Sequence, residues 1–228
     1  SLLRMLNGDI GMFYIKKLPN LKSQIMLSRS NDNGKTFYED HVCCPVVFDG
    51  YYILNNNRVI RLSNNRIIIP LACHMTSCIE GKLYFDERGT VYFYYSDDDG
   101  YTWNRSSTML TLPSTHTKTG LQEPGVIELP NGVLYAYFRT DQMLQYESFS
   151  YDAGINWTCA QPSKFSSPDS PMKIAKNPYS NKYYAIWNPI PIYNGKVKER
   201  YVWGRTPLVI AQSDNGIDFS EPEIIEDD

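Results

Sequence analysis

Glu123 and Arg139 are the pair whose residue types and spacing point most directly to chemistry. The carboxylate opens the run Gln122-Glu123-Pro124-Gly125-Val126-Ile127-Glu128-Leu129-Pro130-Asn131-Gly132, and the guanidinium closes Leu134-Tyr135-Ala136-Tyr137-Phe138-Arg139. Two apolar runs on either side of Asn-Gly read as a β-hairpin, which brings the end of its second strand back beside the start of its first. Both side chains are therefore expected at one rim of a sheet. A carboxylate there can exchange a proton or assist a nucleophile, and a guanidinium fork can grip an anionic group through two parallel hydrogen bonds. The plain alternative is a rim ion pair worth about 0–1 kcal/mol when exposed.

Composition narrows the elements that could hold such a rim. The chain has 228 residues, 42% of them apolar, which is enough for one sizeable core. Its 18 Tyr, 9 Phe and 4 Trp, with 14 Gly and 14 Pro, favour strands and turns over helices. The longest apolar run, residues 67–73, contains Pro70 and falls far short of the ~20 residues of a membrane-spanning helix. A net charge of −3, scattered along the chain, gives no cationic face for nucleic acid. No phosphate loop, Gly-x-Ser-x-Gly elbow or amphipathic helix is present.

Repetition supplies the architecture. Hairpins recur around Asn7-Gly8, Asn64-Asn65, Asn131-Gly132 and Ser180-Asn181, and each is followed by a Ser-x-Asp-x-Gly-x-Thr-aromatic turn. Two copies are complete, Ser30-Asn31-Asp32-Asn33-Gly34-Lys35-Thr36-Phe37 and Ser96-Asp97-Asp98-Asp99-Gly100-Tyr101-Thr102-Trp103. In the third, Ser150 to Trp157, Asn156 replaces Thr; the fourth, Gln212 to Phe219, reads as having lost both the leading Ser and the Thr. Gly accepts the positive φ of the turn, Asp binds turn amides, and the aromatic pins the turn to its sheet. Four such units of about four strands predict an all-β chain, a β-propeller of four-stranded antiparallel blades. The repeats run over about 1–49, 50–113, 114–166 and 167–228 of a single domain, 1–228. On this fold His74 ends its strand as Arg139 does, and Arg58 immediately precedes a strand, so both are candidate substrate-binding residues, with solvated rim side chains as the alternative.

The four turns resemble the Asp boxes, or BNR repeats, of the sialidase (neuraminidase) superfamily, a six-bladed propeller fold. The segment from Gln122 to Arg139 is similar to that superfamily's Asn-Glu-Pro-x-Val-Val-Glu-Leu-x-Asp-Gly motif ending in Arg. The resemblance implies that Glu123 is catalytic, the base partner of a nucleophilic tyrosine, and that Arg139 is one of three arginines clamping a sialic acid carboxylate. A phenol is the suitable nucleophile because a carboxylate would be repelled by the one beside the anomeric carbon. Ala185-Ile186-Trp187-Asn188-Pro189 is similar to the strand end that precedes another clamp arginine, and Arg205, directly before the apolar run 208–211, is preferred to Arg200. The implied reaction is exo-cleavage of terminal sialic acid from a sialoglycoconjugate with retention, needing no metal or organic cofactor.

Departures from the pattern set the other expectations. No Phe-Arg-Ile-Pro motif occurs, and residues 16–27, where the acid/base Asp of the family is expected, contain no Asp or Glu. Residues 55–66 look like a third-blade strand, so the chain is expected to correspond to blades two to five of six, with little activity alone and open faces suited to self-association. Tyr146 reaching Glu123 from the adjacent strand is one alternative nucleophile, against a packing role. Two other functions stay open: a non-catalytic carbohydrate-binding or protein-interaction propeller, and a glycosidase for another acidic sugar. Cys73, His74 and Cys78 lack the fourth ligand of a zinc site, and the five cysteines read as mostly free thiols. With sequons at Asn104 and Asn156 as the opposing sign, the compartment stays undecided.

Overall fold

The computed structural model describes residues 1–45, 50–190 and 205–227. Among them are seventeen strands and no helix, in four sheets. The first sheet joins β1 (Leu2–Arg4), β2 (Ile10–Leu18), β3 (Lys22–Ser30) and β4 (Tyr38–Val42) in chain order. The second joins β5 (Gly50–Ile53), β7 (Ile67–Ile79), β8 (Lys82–Ser96) and β9 (Asn104–Arg105), with β6 (Ile60–Arg61) continuing the edge alongside β7. The third is β10 (Gln122–Glu128), β11 (Leu134–Arg139), β12 (Leu144–Ser150) and β13 (Gln161–Ser166); the fourth is β14 (Lys173–Lys176), β15 (Tyr183–Trp187), β16 (Leu208–Ser213) and β17 (Glu223–Glu226). These antiparallel meanders are four blades of a β-propeller.

The core lies between blades. Successive side chains of a strand point to opposite faces, so a strand sandwiched between neighbouring blades must be apolar on both. On β7, Ile67, Ile69, Leu71 and Cys73 enter the core shared with the first blade, while Ile68 enters the core shared with the third. β8 divides in the same way, Tyr92 and Tyr94 to one side and Val91 and Phe93 to the other. A third core joins the last two blades through Ile127, Tyr135, Tyr137, Ile174, Tyr183 and Val209. Each fully buried large apolar side chain contributes roughly 1.5–3 kcal/mol. The box aromatics seal these layers: the Trp157 ring stacks on Phe93 with centroids 3.9 Å apart.

The Asp boxes close the turns between the third and fourth strands. Ser30, Ser96 and Ser150 end their strands, and each Oγ accepts a hydrogen bond from the box glycine, Gly34, Gly100 or Gly154, at 2.7–2.8 Å. Asp32, Asp98 and Asp152 then accept the backbone N–H and the side chain of Thr36, Thr102 and Asn156 respectively. The fourth box corrects the sequence reading. Ser213, not Gln212, ends β16, and its Oγ accepts from Gly216 N at 2.9 Å. Asn215 takes the place of Asp, accepting from Asp218 N at 2.8 Å, and Asp218 takes the place of Thr. The turn is one residue shorter, so the serine that looks lost is present one position later.

The box glycines also set blade spacing. A Cβ on Gly100 would meet Leu27 of the first blade at 2.8 Å, and one on Gly216 would meet Leu129 of the third at 2.8 Å.

These turns make the fold acid-sensitive. Hydrogen bonds from the Thr36 hydroxyl, the Thr36 amide and Ser30 hold the Asp32 carboxyl at about 2. Partial burial pushes Asp98 and Asp152 upward, but the bonds from Thr102 and Asn156 outweigh it and both carboxyls lie below their ordinary range. A carboxyl with a depressed folded-state pKa stabilises the fold above its unfolded value near 4 and loses that contribution as pH falls toward its folded value. Circular dichroism should therefore show thermal stability falling between about pH 4 and pH 2. Asp98→Ala should lower stability at pH 7 by about 1–2 kcal/mol through the unmet turn donors.

Candidate functional site

The start of β10 is not a regular strand. Gln122 pairs with Arg139 and Gly125 with Tyr137, so Glu123 and Pro124 bulge out opposite Phe138. Glu123 sits at φ 48°, a left-handed conformation that costs a residue with a Cβ about 1–2 kcal/mol. The bulge turns its carboxylate to the strand end of β11, where Arg139 Nη1 donates to Glu123 Oε1 at 2.7 Å. Arg139 Nε donates to a second carboxylate, Asp169 Oδ1, at 2.8 Å. Asp169 is also left-handed, at φ 50°. The guanidinium thus holds two acids, one from the third blade and one from the turn that leads into the fourth, both on strained backbone, and its Nη2 is left without a partner among the described residues. Burial opposes the Arg139 charge, but the bonds to Asp169 and then the field and bond of Glu123 raise its pKa, so it is charged throughout.

Asp169 arrives on the turn Ser166-Ser167-Pro168-Asp169-Ser170-Pro171 between β13 and β14. Fully buried Gln145 on β12 holds this turn, donating Nε2 to Ser167 Oγ at 2.9 Å and to Ser170 O at 2.7 Å. Arg205 reaches the same turn through Nη2 and Asp169 O at 3.4 Å. Its backbone is held by Asn188 Nδ2, which donates to Arg205 O at 2.6 Å and to Pro207 O at 3.1 Å. Glu123, Arg139, Asp169 and Arg205 are therefore brought together at one rim.

His74 and Arg58 stand apart from that group: β7 continues to Ile79, so His74 lies within its strand instead of ending it as Arg139 ends β11. His74 is buried, its Nδ1 is 3.1 Å from Asp86 O, and Phe85 stacks on its ring at 5.0 Å. Burial depresses its pKa against the opposing pull of Asp86, keeping it neutral near pH 7. It touches the rim only indirectly, since Gln122 Nε2, beside Glu123, donates to Glu87 O on the adjoining stretch of β8. Arg58 is buried at the inner edge of the second blade, its Nη1 donating to the Tyr137 hydroxyl at 2.8 Å. Tyr146, opposite Phe138 on β12, packs against the second core. No tyrosine hydroxyl bonds Glu123 among the described residues; Tyr135 instead donates to Glu147 Oε2 at 3.0 Å. Arg200 lies outside the described residues.

A family model described as a BNR repeat-like domain matches residues 2–228. The chain belongs to the BNR repeat-like domain family. No curated protein sequence matches it. Among solved structures, the microbial sialidase Hz136 superposes with a TM-score of 0.65 at 16% identity, over 97% of this chain and 43% of that one. A mutant of the NanB sialidase from Streptococcus pneumoniae gives 0.59 at 20% identity, over 90% and 29%. A mutant of the α-L-arabinofuranosidase arb93a from Fusarium graminearum, bound to an iminosugar inhibitor, gives 0.57 at 15% identity, over 98% and 64%. At such identities the likeness is one of fold, that of sialidase-like glycoside hydrolases, and the BNR chain spans less than two thirds of each.

Sequence reasoning missed Asp169, Gln145 and Tyr137. For Asp169 the signal was an acid between Pro168 and Pro171, a bracketed turn at a blade junction. Gln145 and Tyr137 carried none, because both resemble ordinary strand residues. Gly125 had a readable reason only in the structure: a Cβ there would lie 2.2 Å from the Tyr137 ring. Gly125→Ala should consequently cost about 2–3 kcal/mol of stability in urea unfolding, the ring being too rigid to yield.

Proposed function

We propose that this BNR chain carries the sugar-binding rim of a sialidase-like glycoside hydrolase that removes terminal sialic acid with retention. The observation that carries the reading is the Glu123–Arg139 pair, presented by a bulge in left-handed backbone at a blade rim. Strained backbone re-aiming a carboxylate is a common mark of a working site. Glu123 serves as the base that takes the proton of a phenol nucleophile, and Arg205 with the free Nη2 of Arg139 receives the substrate carboxylate. His74 and Arg58 stand away from that rim and do not touch the reacting atoms.

One observation favours a second reading. Two N–H edges of Arg139 are already committed to Glu123 and Asp169, so these three groups together are anionic before Arg205 is counted. A neutral sugar is tolerated better there than an anionic one, in keeping with the arabinofuranosidase among the fold relatives. Fluorogenic sialoside, glucuronide and arabinofuranoside should be offered in parallel. The primary reading expects sialoside turnover, with kcat falling at least about 100-fold in Glu123→Gln. Turnover of the arabinofuranoside or the glucuronide alone overturns the sialic acid assignment. Saturable sialic acid binding with no turnover of any substrate instead supports a carbohydrate-binding module.

A further inference from the structure

The inner edges of the second, third and fourth blades surround a cavity of about 440 Å³, within the range of small-molecule sites. It runs along β10 from Val126 to Leu129 and along β14 from Lys173 to Lys176, so Glu123 is not part of its lining. Lys173 and Asn57 stand on that lining, and Arg58 follows Asn57 in the chain.

The charges beside this cavity do not balance. Arg58 is 5% exposed, its Nη1 bonds a neutral phenol, and its Nε has no partner. Lys173 donates only to a backbone carbonyl, Asn57 O. Neither cation forms an ion pair among the described residues. Their mutual proximity is felt: burial first, and then the charge of Arg58, pull the Lys173 ammonium down to about 8. The lining carries three further charged groups: Lys176, which lies over the Tyr183 ring, Arg61, and the one acid, Glu128. Both oxygens of Glu128 accept from Ser63, at 2.7 and 2.6 Å, and Arg61 pairs with Asp99 at 2.5 Å. A buried guanidinium beside a half-buried ammonium, both without counter-charges, is an unfavourable arrangement.

We propose that the axial cavity is a second binding site, taking a small oxyanion, a phosphate or carboxylate group, on Lys173 and Arg58. The anion supplies the counter-charge that the described residues lack. Phosphate and carboxylate share the chemistry that an ammonium beside a guanidinium recognises, and the rim chemistry plays no part in it.

Isothermal titration of the protein with inorganic phosphate, and separately with acetate, at constant ionic strength tests this. Saturable binding of at least one is expected, and which of them binds identifies the head group. Lys173→Met should weaken binding by about tenfold or more, Lys173→Arg should restore it to within about threefold, and Arg139→Gln should leave phosphate binding unchanged. Folding of each variant is checked by circular dichroism, the conservative arginine keeping the test decisive if the methionine variant does not fold. Absence of saturable binding to both anions overturns the proposal. So does unaltered binding by Lys173→Met, or loss of phosphate binding in Arg139→Gln alone, which would move the anion to the rim.

Discussion

The Tyr137 hydroxyl is the point on which three blades converge. It accepts from Arg58 Nη1 of the second blade at 2.8 Å and from Ile174 N of the fourth at 3.0 Å, while its own ring belongs to the third. A phenol suits this place because its rigid ring is apolar and buried whereas its tip accepts and donates. The ring needs the space over residue 125, and glycine provides it. Removing the hydroxyl would orphan a buried amide and a buried guanidinium, each unmet donor costing about 1–3 kcal/mol. The inner edges of the blades, and with them the start of β10, are positioned through this contact.

From that anchored strand the rim follows by local backbone geometry. Two residues, Glu123 and Pro124, face one on the partner strand, and the surplus turns a carboxylate out of the sheet. Left-handed backbone at Glu123 and Asp169 is unfavourable for residues carrying a Cβ and persists because Arg139 bonds both acids and Gln145 holds the turn bearing the second. The arrangement concentrates strain, charge and committed hydrogen bonds at one strand end of the third sheet. The axial cavity differs in kind, since there two cations have only neutral partners among the described residues, Tyr137 for Arg58 and the carbonyl of left-handed Asn57 for Lys173.

Much of the fold was legible because it is modular. Period-two patterning, apolar on both faces in β7, marks a strand lying between two other sheets, and the Asp boxes mark the turns by local hydrogen bonds that need no distant partner. The shortened fourth box shows where such reading stops. Ser213, Asn215 and Asp218 keep the hydrogen-bond plan with one residue fewer, and residue-by-residue matching registers that as loss. At the rim, the meeting of Glu123 with Arg139 was readable for the same local reason, a hairpin with a tight turn.

The sequence by itself determined the all-β character, the four repeats, their turns and the hairpin that joins Glu123 to Arg139, because each depends on contacts between residues near in the chain. Tertiary structure alone decided that Asp169 shares Arg139, that His74 lies beneath Phe85, and that Arg58 turns to Tyr137 instead of the rim. These pairings join different blades or depend on how far one hairpin extends. Blade spacing is set by packed volume and by charges settling against whatever neighbour packing brings, and strand periodicity carries no record of either.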